Sequence, residues 1–262
     1  MDEEVLRGGV GNAGAVVRVG KHVLRPTTAH TPAIHALLRY VRAAGFDGVP
    51  EVTGIEPDGR ERLVFIAGDV PYPPFPEWSQ ADQLLQSTAS LLRRFHDAAA
   101  GFVTTAGMSW SDELADPAGG SLICHNDICP ENVVSRGGVA VALLDFDFAG
   151  PGRVLYDLGQ LAKMCIPLDT PEDAARFGRH SFDPFRRLRL VADGYGLPPG
   201  REAFVELLGE SLAAGGGFVQ RRVERGEPAF VEMWKQMGGG ARYQRRREWF
   251  ERNRRRFLDA VG

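Results

Sequence analysis

The sequence predicts an α+β fold in two unequal lobes: a small β-sheet carrying one helix, followed by a larger and mainly helical part. Three observations carry this. β-favouring runs separated by tight-turn signals flank one helical stretch within residues 16–66. Helical spacing dominates from residue 79 onward. In the second part, strand-like runs at 121–124 and 132–144 lead into polar, acidic stretches rather than into further strands.

At 262 residues and 44% apolar content the chain can bury a core, and its length suits one large domain or two lobes. The lobes are placed at 1–68 and 69–262 as one unit, because residues 68–76 concentrate glycine and proline. A net charge of -3 supplies no global field for nucleic acid. Cys124, Cys129 and Cys165 are few and odd in number, which fits a reducing compartment without a disulfide framework. The acidic start, Met1-Asp2-Glu3-Glu4, and the lack of a long apolar run predict neither signal peptide nor membrane span. The expectation is a soluble cytoplasmic protein, monomer or homodimer, with no nucleic-acid or membrane partner.

The first lobe opens with Gly9-Val10-Gly11-Asn12-Ala13-Gly14-Ala15-Val16, a GxGxxGxV string that a glycine-rich surface turn would also explain. A hairpin comes next, with Gly20-Lys21 as a two-residue turn between runs 16–19 and 22–25. A dinucleotide-binding loop would open a helix instead; a glycine loop opening a strand fits a phosphate-covering hairpin. With the turn at Gly20-Lys21, Val19 pairs with His22 and Val16 with Arg25. Alternation then places Val16, Val23 and Arg25 on one face, an apolar floor with a cation beside it. A solvated strand position explains Arg25 equally well on its own.

Residues 31–45 read as a helix with Thr31 as N-cap, Pro32 in the first turn, and Ile34, Leu37, Leu38 and Val41 as its stripe. His35 lies off that stripe. Two strands flank Pro57-Asp58-Gly59, and the second ends at Phe65, Ile66 and Gly68, where backbone groups can meet a nucleotide base. Ser79 is expected to cap a helix reaching about residue 100. His96-Asp97 reads as a polar helix end resting on the core. Further helices are expected at about 184–194, 200–225 and 228–258, with interruptions at Gly215-Gly216-Gly217 and Gly238-Gly239-Gly240. The arginine-rich last helix, with Tyr243, Phe250 and Phe257 seven residues apart, reads as a solvated helix docked by one stripe.

Two stretches concentrate the chemistry: His125-Asn126-Asp127-Ile128-Cys129-Pro130-Glu131-Asn132 and Leu144-Asp145-Phe146-Asp147. Each lies after an apolar run, and a hairpin turn at Arg136-Gly137-Gly138 joins them. Asp127, Asn132 and Asp145 can therefore converge as oxygen ligands that hold a hard divalent cation beside a hydroxyl nucleophile. Cys124 and Cys129 flank His125 without a fourth ligand at zinc spacing.

In this order the features resemble the aminoglycoside phosphotransferase family, small-molecule kinases of bilobal protein-kinase-like fold. The resemblance runs from the glycine-rich hairpin to Asp157 and is most specific in His125-x-Asp127-x4-Asn132 and Leu144-Asp145-Phe146-Asp147. It implies Asp127 as the catalytic residue that orients the acceptor hydroxyl, and Asn132 and Asp145 as ligands of Mg²⁺. It implies nucleotide binding by Gly9, Gly11, Gly14, Val16, Val23, Arg25, Phe65, Ile66 and Gly68, with ATP or GTP as donor. His125, Asp147 and Asp157 are implied as supports, Asp157 by holding the loop's backbone N–H groups. The implied partners are a nucleoside triphosphate and a small-molecule hydroxyl acceptor, an antibiotic in a resistance or self-immunity setting.

The sequence departs from the family at two points. Arg25 stands where the family has lysine, and His35 where it has the partnering glutamate on the following helix. These departures leave a catalytically weak nucleotide- or drug-binding protein as the alternative. A protein kinase ranks lower, because no Ala-Pro-Glu anchor follows Asp145.

Overall fold

Short β-favouring runs and tight turns build the first sheet. The computed structural model describes residues 3–7, 14–176, 178–179 and 182–262. Strands β1 (Glu4–Val5), β2 (Val17–Val19), β3 (His22–Arg25), β4 (Val52–Ile55) and β5 (Glu61–Val64) form one antiparallel sheet in the order β1-β2-β3-β5-β4. Gly20, at φ +60, turns β2 into β3, and Val19 pairs with His22. Strand pairing begins at Val17, so Val16 lies just ahead of the ladder. In the next register Val23 pairs with Leu63 and Arg25 with Glu61.

Helix α1 (Thr31–Ala43) packs Ile34, Leu37, Leu38 and Val41 into the core. Its cap position is His30, not Thr31; the Thr31 hydroxyl instead accepts from the Thr28 N–H at 2.8 Å, closing the turn ahead of the helix. His35 is 5% exposed, against the expectation that it lies off the buried face. Likewise Ser79 caps no long helix: it sits in a tight turn, Glu77–Gln80, where its hydroxyl donates to the Pro76 carbonyl, and α2 (Asp82–Ala99) begins after it.

The second part holds β6 (Leu122–Cys124), the hairpin β7 (Val133–Arg136) and β8 (Val139–Leu143), and β9 (Gly150–Gly152), which pairs with β6. Helices α3 (Val154–Cys165), α4 (Pro171–Arg176), α5 (Pro184–Tyr195), α6 (Glu202–Glu224), α7 (Pro228–Gln236) and α8 (Gly239–Val261) complete it. Helix α6 runs unbroken through Gly215-Gly216-Gly217. The expected interruption at Gly238-Gly239-Gly240 is present: Gly238 at φ +88 separates α7 from α8. Among the described helices, none is long and apolar enough to cross a membrane.

One core spans both parts. Leu84, Leu85, Leu91, Leu92 and Phe95 of α2 are buried together with α1 on one side and with α3, α5, α6 and α8 on the other. Each such side chain contributes about 1.5–3 kcal/mol relative to exposure. Phe46, Phe95 and Phe146 form a chain of tilted rings with centroids 6.2 and 5.4 Å apart, and Phe146 meets the His125 ring at 4.5 Å. The first sheet is also tied to the β7–β8 hairpin by paired backbone bonds between Asp69 and Ser135. Gly68 permits this approach: a Cβ there would lie 2.5 Å from Val134 Cγ1 and 2.6 Å from the Ser135 carbonyl oxygen.

Candidate active site

The loop after β6 is held from behind by one buried carboxylate. Asp157, at the start of α3, is fully buried and accepts from the N–H groups of His125 (2.9 Å) and Asn126 (2.8 Å). His96 of α2 adds a third bond, Nε2 to Asp157 Oδ2 at 2.9 Å, and its Nδ1 meets the Tyr195 hydroxyl at 2.7 Å. Burial acts to raise the Asp157 pKa, but the bonds and charge from His96 and His125 outweigh it and hold the carboxyl below its usual range. His96, read from sequence as a polar helix end resting on the core, is a supporting residue of this loop. Its burial at helical spacing beside Phe95 is the signal, but its partner lies 61 residues away.

His125 ties the two acidic stretches together. Its Nε2 bonds the Leu144 carbonyl at 2.9 Å, and its Nδ1 accepts from the Asp127 N–H at 3.3 Å. Burial pushes its pKa down, which suits a neutral ring with one donor and one acceptor nitrogen. Asn126 and Asp145 take φ values of +65 and +58, rare for side chains other than glycine. Asn126 Nδ2 donates to the Phe148 carbonyl at 3.0 Å, fixing one strained residue to the turn that contains the other.

These constraints bring Asp127, Asn132 and Asp145 together. Asn132 Nδ2 donates to the Asp127 carbonyl (2.8 Å) and to Asp127 Oδ2 (3.0 Å), so the Asn132 amide oxygen stays available as a ligand. Burial, then the Asp145 charge, pushes the Asp127 carboxyl up to about 7. Burial and Asp145 likewise raise Asp147 to about 6, against the pull of Arg25. Asp145 thus raises two neighbouring carboxyls, a sign of negative charge lacking full compensation, and the set is hard oxygen. It therefore fits a divalent cation such as Mg²⁺, with Asn132 and Asp145 as donors.

Arg25 occupies the sheet side of this cluster. Its Nε lies 3.0 Å from Glu61 Oε1, its Nη1 3.2 Å from Asp145 Oδ1, and its Nη2 pairs with Asp147 Oδ2. Burial works against its charge, but the three carboxylates together push its pKa up. Glu61 also takes His35 Nε2 at 2.6 Å. The missing glutamate of the helix is thus supplied by β5, one strand over, and His35 contacts it rather than Arg25. Sequence reasoning did not find Glu61; the signal was its position opposite Arg25 once the β3–β5 register is known.

Two cavities meet at these residues. One, of about 430 Å³, is lined by Val16, Val23, Arg25, Phe65, Ile66 and Gly68 together with Asn132 and Asp145. Gly14, at φ +80, is exposed and outside that lining, while Gly9 and Gly11 lie outside the described residues. The other cavity, of about 630 Å³, is lined by Asp127, Asn132, Asp145 and Asp147 and extends between α3, α6, α7 and α8.

A model of the APH phosphotransferase enzyme family matches residues 103–191, which contain both acidic stretches. The trifolitoxin immunity protein of Rhizobium leguminosarum bv. trifolii is 34% identical over 202 residues, covering 75% of this chain and 76% of that protein. In fold, the chain is similar to a choline/ethanolamine kinase family protein from Mesorhizobium loti, with a TM-score of 0.61, 19% identity, and 100% and 92% of the two chains covered. It is also similar to wild-type aminoglycoside 2'-phosphotransferase-IIIa in its GDP complex, with a TM-score of 0.59, 12% identity, and 97% and 93% covered. The chain belongs to the APH phosphotransferase enzyme family and is a small-molecule phosphotransferase of kinase-like fold.

Proposed function

We propose that the protein transfers the γ-phosphoryl group of ATP or GTP to a hydroxyl of a small molecule in a Mg²⁺-dependent reaction. One observation carries this reading. Asn132 and Asp145 line both cavities, whereas Asp127 lines the larger one alone. Metal ligands placed between a donor and an acceptor chamber, with a carboxylate facing the acceptor, are what in-line phosphoryl transfer needs.

The smaller cavity takes the nucleotide, its base against the apolar side chains and its phosphates towards Arg25. Bound at Asn132 and Asp145, Mg²⁺ would neutralise phosphate charge. Asp127 orients the acceptor hydroxyl and takes its proton as the oxygen attacks; a carboxyl pushed up to about 7 is matched to that proton near neutral pH. Asn132 holds Asp127 in place through its amide N–H bonds. Asp157, His96 and His125 hold the loop. The residues before 69 form the nucleotide side and those after it the catalytic side. The likeness to a named immunity protein supports self-protection against an antibiotic as the setting.

One observation favours a second reading, a binding protein with weak catalysis: Arg25 is engaged by Asp145 and Asp147 themselves. A transfer assay with γ-labelled nucleotide over an antibiotic panel separates the two. Resistance profiling of an expressing host and mass spectrometry of the protective drug then name the acceptor. Label transfer that is lost in Asp127→Ala, with nucleotide binding kept, supports the kinase. Unchanged turnover in that variant refutes the assignment.

A further inference from the structure

The acceptor cavity also carries cations. Lys163 of α3 and Arg242 and Arg246 of α8 line it. Lys163 is 8% exposed, and its ammonium donates to Gln160 Oε1. Among the described residues no carboxylate comes within ion-pair distance of Lys163; Asp127 is the carboxylate whose charge reaches it. Asp169 serves Arg242, at 2.9 and 3.1 Å, and lies 3.8 Å from Arg246. Arg246 is otherwise bound to the Leu168 and Lys163 carbonyl oxygens. That carboxylate is therefore turned to the arginines, and the ammonium is held by a neutral amide. Burial and the Arg246 charge push the Lys163 ammonium down to about 7.

The fold makes room for this arrangement at the expense of a helix. A Cβ on Gly215 would lie 3.2 Å from both Nζ and Cδ of Lys163, and one on Gly216 would lie 3.2 Å from the Tyr243 ring. Glycine weakens a helix interior relative to alanine, yet α6 carries three in succession at this wall. Part of the cavity wall is apolar, including Phe148, Phe218 and Met233. Glu113, also on the wall, is paired with Arg222 and Arg225.

We propose that Lys163, backed by Arg246, is a specificity-determining cation that binds an anionic group of the acceptor. The acceptor then has an apolar body, a hydroxyl delivered to Asp127 and a negative charge for Lys163. A polycationic acceptor would meet repulsion there. A buried ammonium without a carboxylate is unfavourable, and an incoming anion removes that penalty. The inference rests on the phosphotransfer reading for the hydroxyl end only.

The probes are three forms of acetyl-Ser-Phe, ending in a free carboxylate, a carboxamide or an aminoethylamide, with binding measured by calorimetry. The full-length protein is expected to bind the carboxylate form at least about tenfold more tightly than the amide, and the cationic form more weakly still. In Lys163→Gln the carboxylate–amide difference should fall below about threefold. Gly215→Ala crowds the ammonium without removing it and should lower the preference in the same direction; it serves if Lys163→Gln does not fold. Equal affinities, tightest binding of the cationic form, no saturable binding of the carboxylate form, or a preference unchanged in the variant overturns the proposal. Label transfer is read separately. A charge preference that Lys163→Gln abolishes, with no probe phosphorylated, keeps the anion site and counts against the transfer reading. Phosphorylation without charge preference does the reverse.

Discussion

Replacing Asp157 by asparagine tests whether one carboxylate holds the catalytic loop. Oδ2 receives two donors, His96 Nε2 and the His125 N–H, while Oδ1 receives the Asn126 N–H. An amide offers one oxygen and one NH₂. With its oxygen on the two-donor side, the NH₂ meets the Asn126 N–H, leaving that buried donor unsatisfied at about 1–3 kcal/mol. The two surviving bonds lose charge assistance, roughly 0.5–1.5 kcal/mol each. The sum is about 2–6 kcal/mol, a large share of a stability on the order of 5–15 kcal/mol. In urea, with a slope of about 3 kcal/mol/M, the midpoint should fall by roughly 1 M or more. Because Asn126 sits at φ +65 and precedes Asp127, its release should also misplace Asp127 and lower turnover by about 10²-fold. The pH dependence has a fixed sign. The folded pKa of Asp157 is depressed, so its contribution is complete above the unfolded value of about 3.9 and is lost as pH falls through the lower folded value. The stability gap between parent and Asp157→Asn should stay constant from about pH 7 to pH 5 and narrow only below about pH 4. A midpoint within roughly 0.2 M of the parent at pH 7, or a gap that closes already between about pH 7 and 5, would refute the reasoning.

The charged front of the cleft yields three more expectations. Asp127→Asn should lower turnover by at least about 10³-fold while nucleotide affinity stays within about threefold. Its raised folded pKa, about 7, means that stability from protonation is lost as pH rises through that value, so the variant should be about 1–2 kcal/mol more stable than the parent at pH 8; equal midpoints there would count against the shift. Asp145→Asn should remove the Mg²⁺ dependence of nucleotide binding, and a normal Mg²⁺-dependent affinity by calorimetry would exclude Asp145 as a ligand. Arg25→Met strands Glu61, Asp145 and Asp147 without their cation, so it should cost about 3–5 kcal/mol in unfolding and weaken nucleotide binding; Arg25→Lys should recover part of the loss, and a neutral Arg25→Met would show the cluster to be dispensable.

Local signals made most of the scaffold legible. The Gly20-Lys21 turn gave the β2–β3 register, and the apolar stripes gave α1 and α2. The convergence of Asp127, Asn132 and Asp145 could be read because an adjacent hairpin, β7–β8, sets the distance between the two stretches. What stayed hidden depended on partners distant in sequence. Glu61 looks like a solvated strand residue until β3 lies beside β5, and His96 like a polar helix end resting on the core until α2 meets α3. Glycine was an uneven guide. Gly215-Gly216-Gly217 looks like a break but is accommodated by packing against Lys163 and Tyr243, whereas Gly238 adopts positive φ and does break the helix. Intrinsic propensity does not distinguish the cases; the neighbours do.

The loop after β6 separates a satisfied face from a charged one. Its back is satisfied: Asp157 has three donors, His125 has both nitrogens engaged, and Phe146 packs against the His125 ring. Its front is frustrated, since Asp145 raises the pKa of Asp127 and Asp147, and the two positive-φ residues Asn126 and Asp145 lie where the faces join. Left to itself, such a front would relax by moving the carboxylates apart. The bonds on the back and the Arg25 ion pairs prevent that motion, so the repulsion persists in the folded protein. Strain of this kind survives only where surrounding structure over-determines the loop. Here the over-determination has an identifiable source: one buried carboxylate on α3, one histidine on α2 and one aromatic chain running back to Phe46.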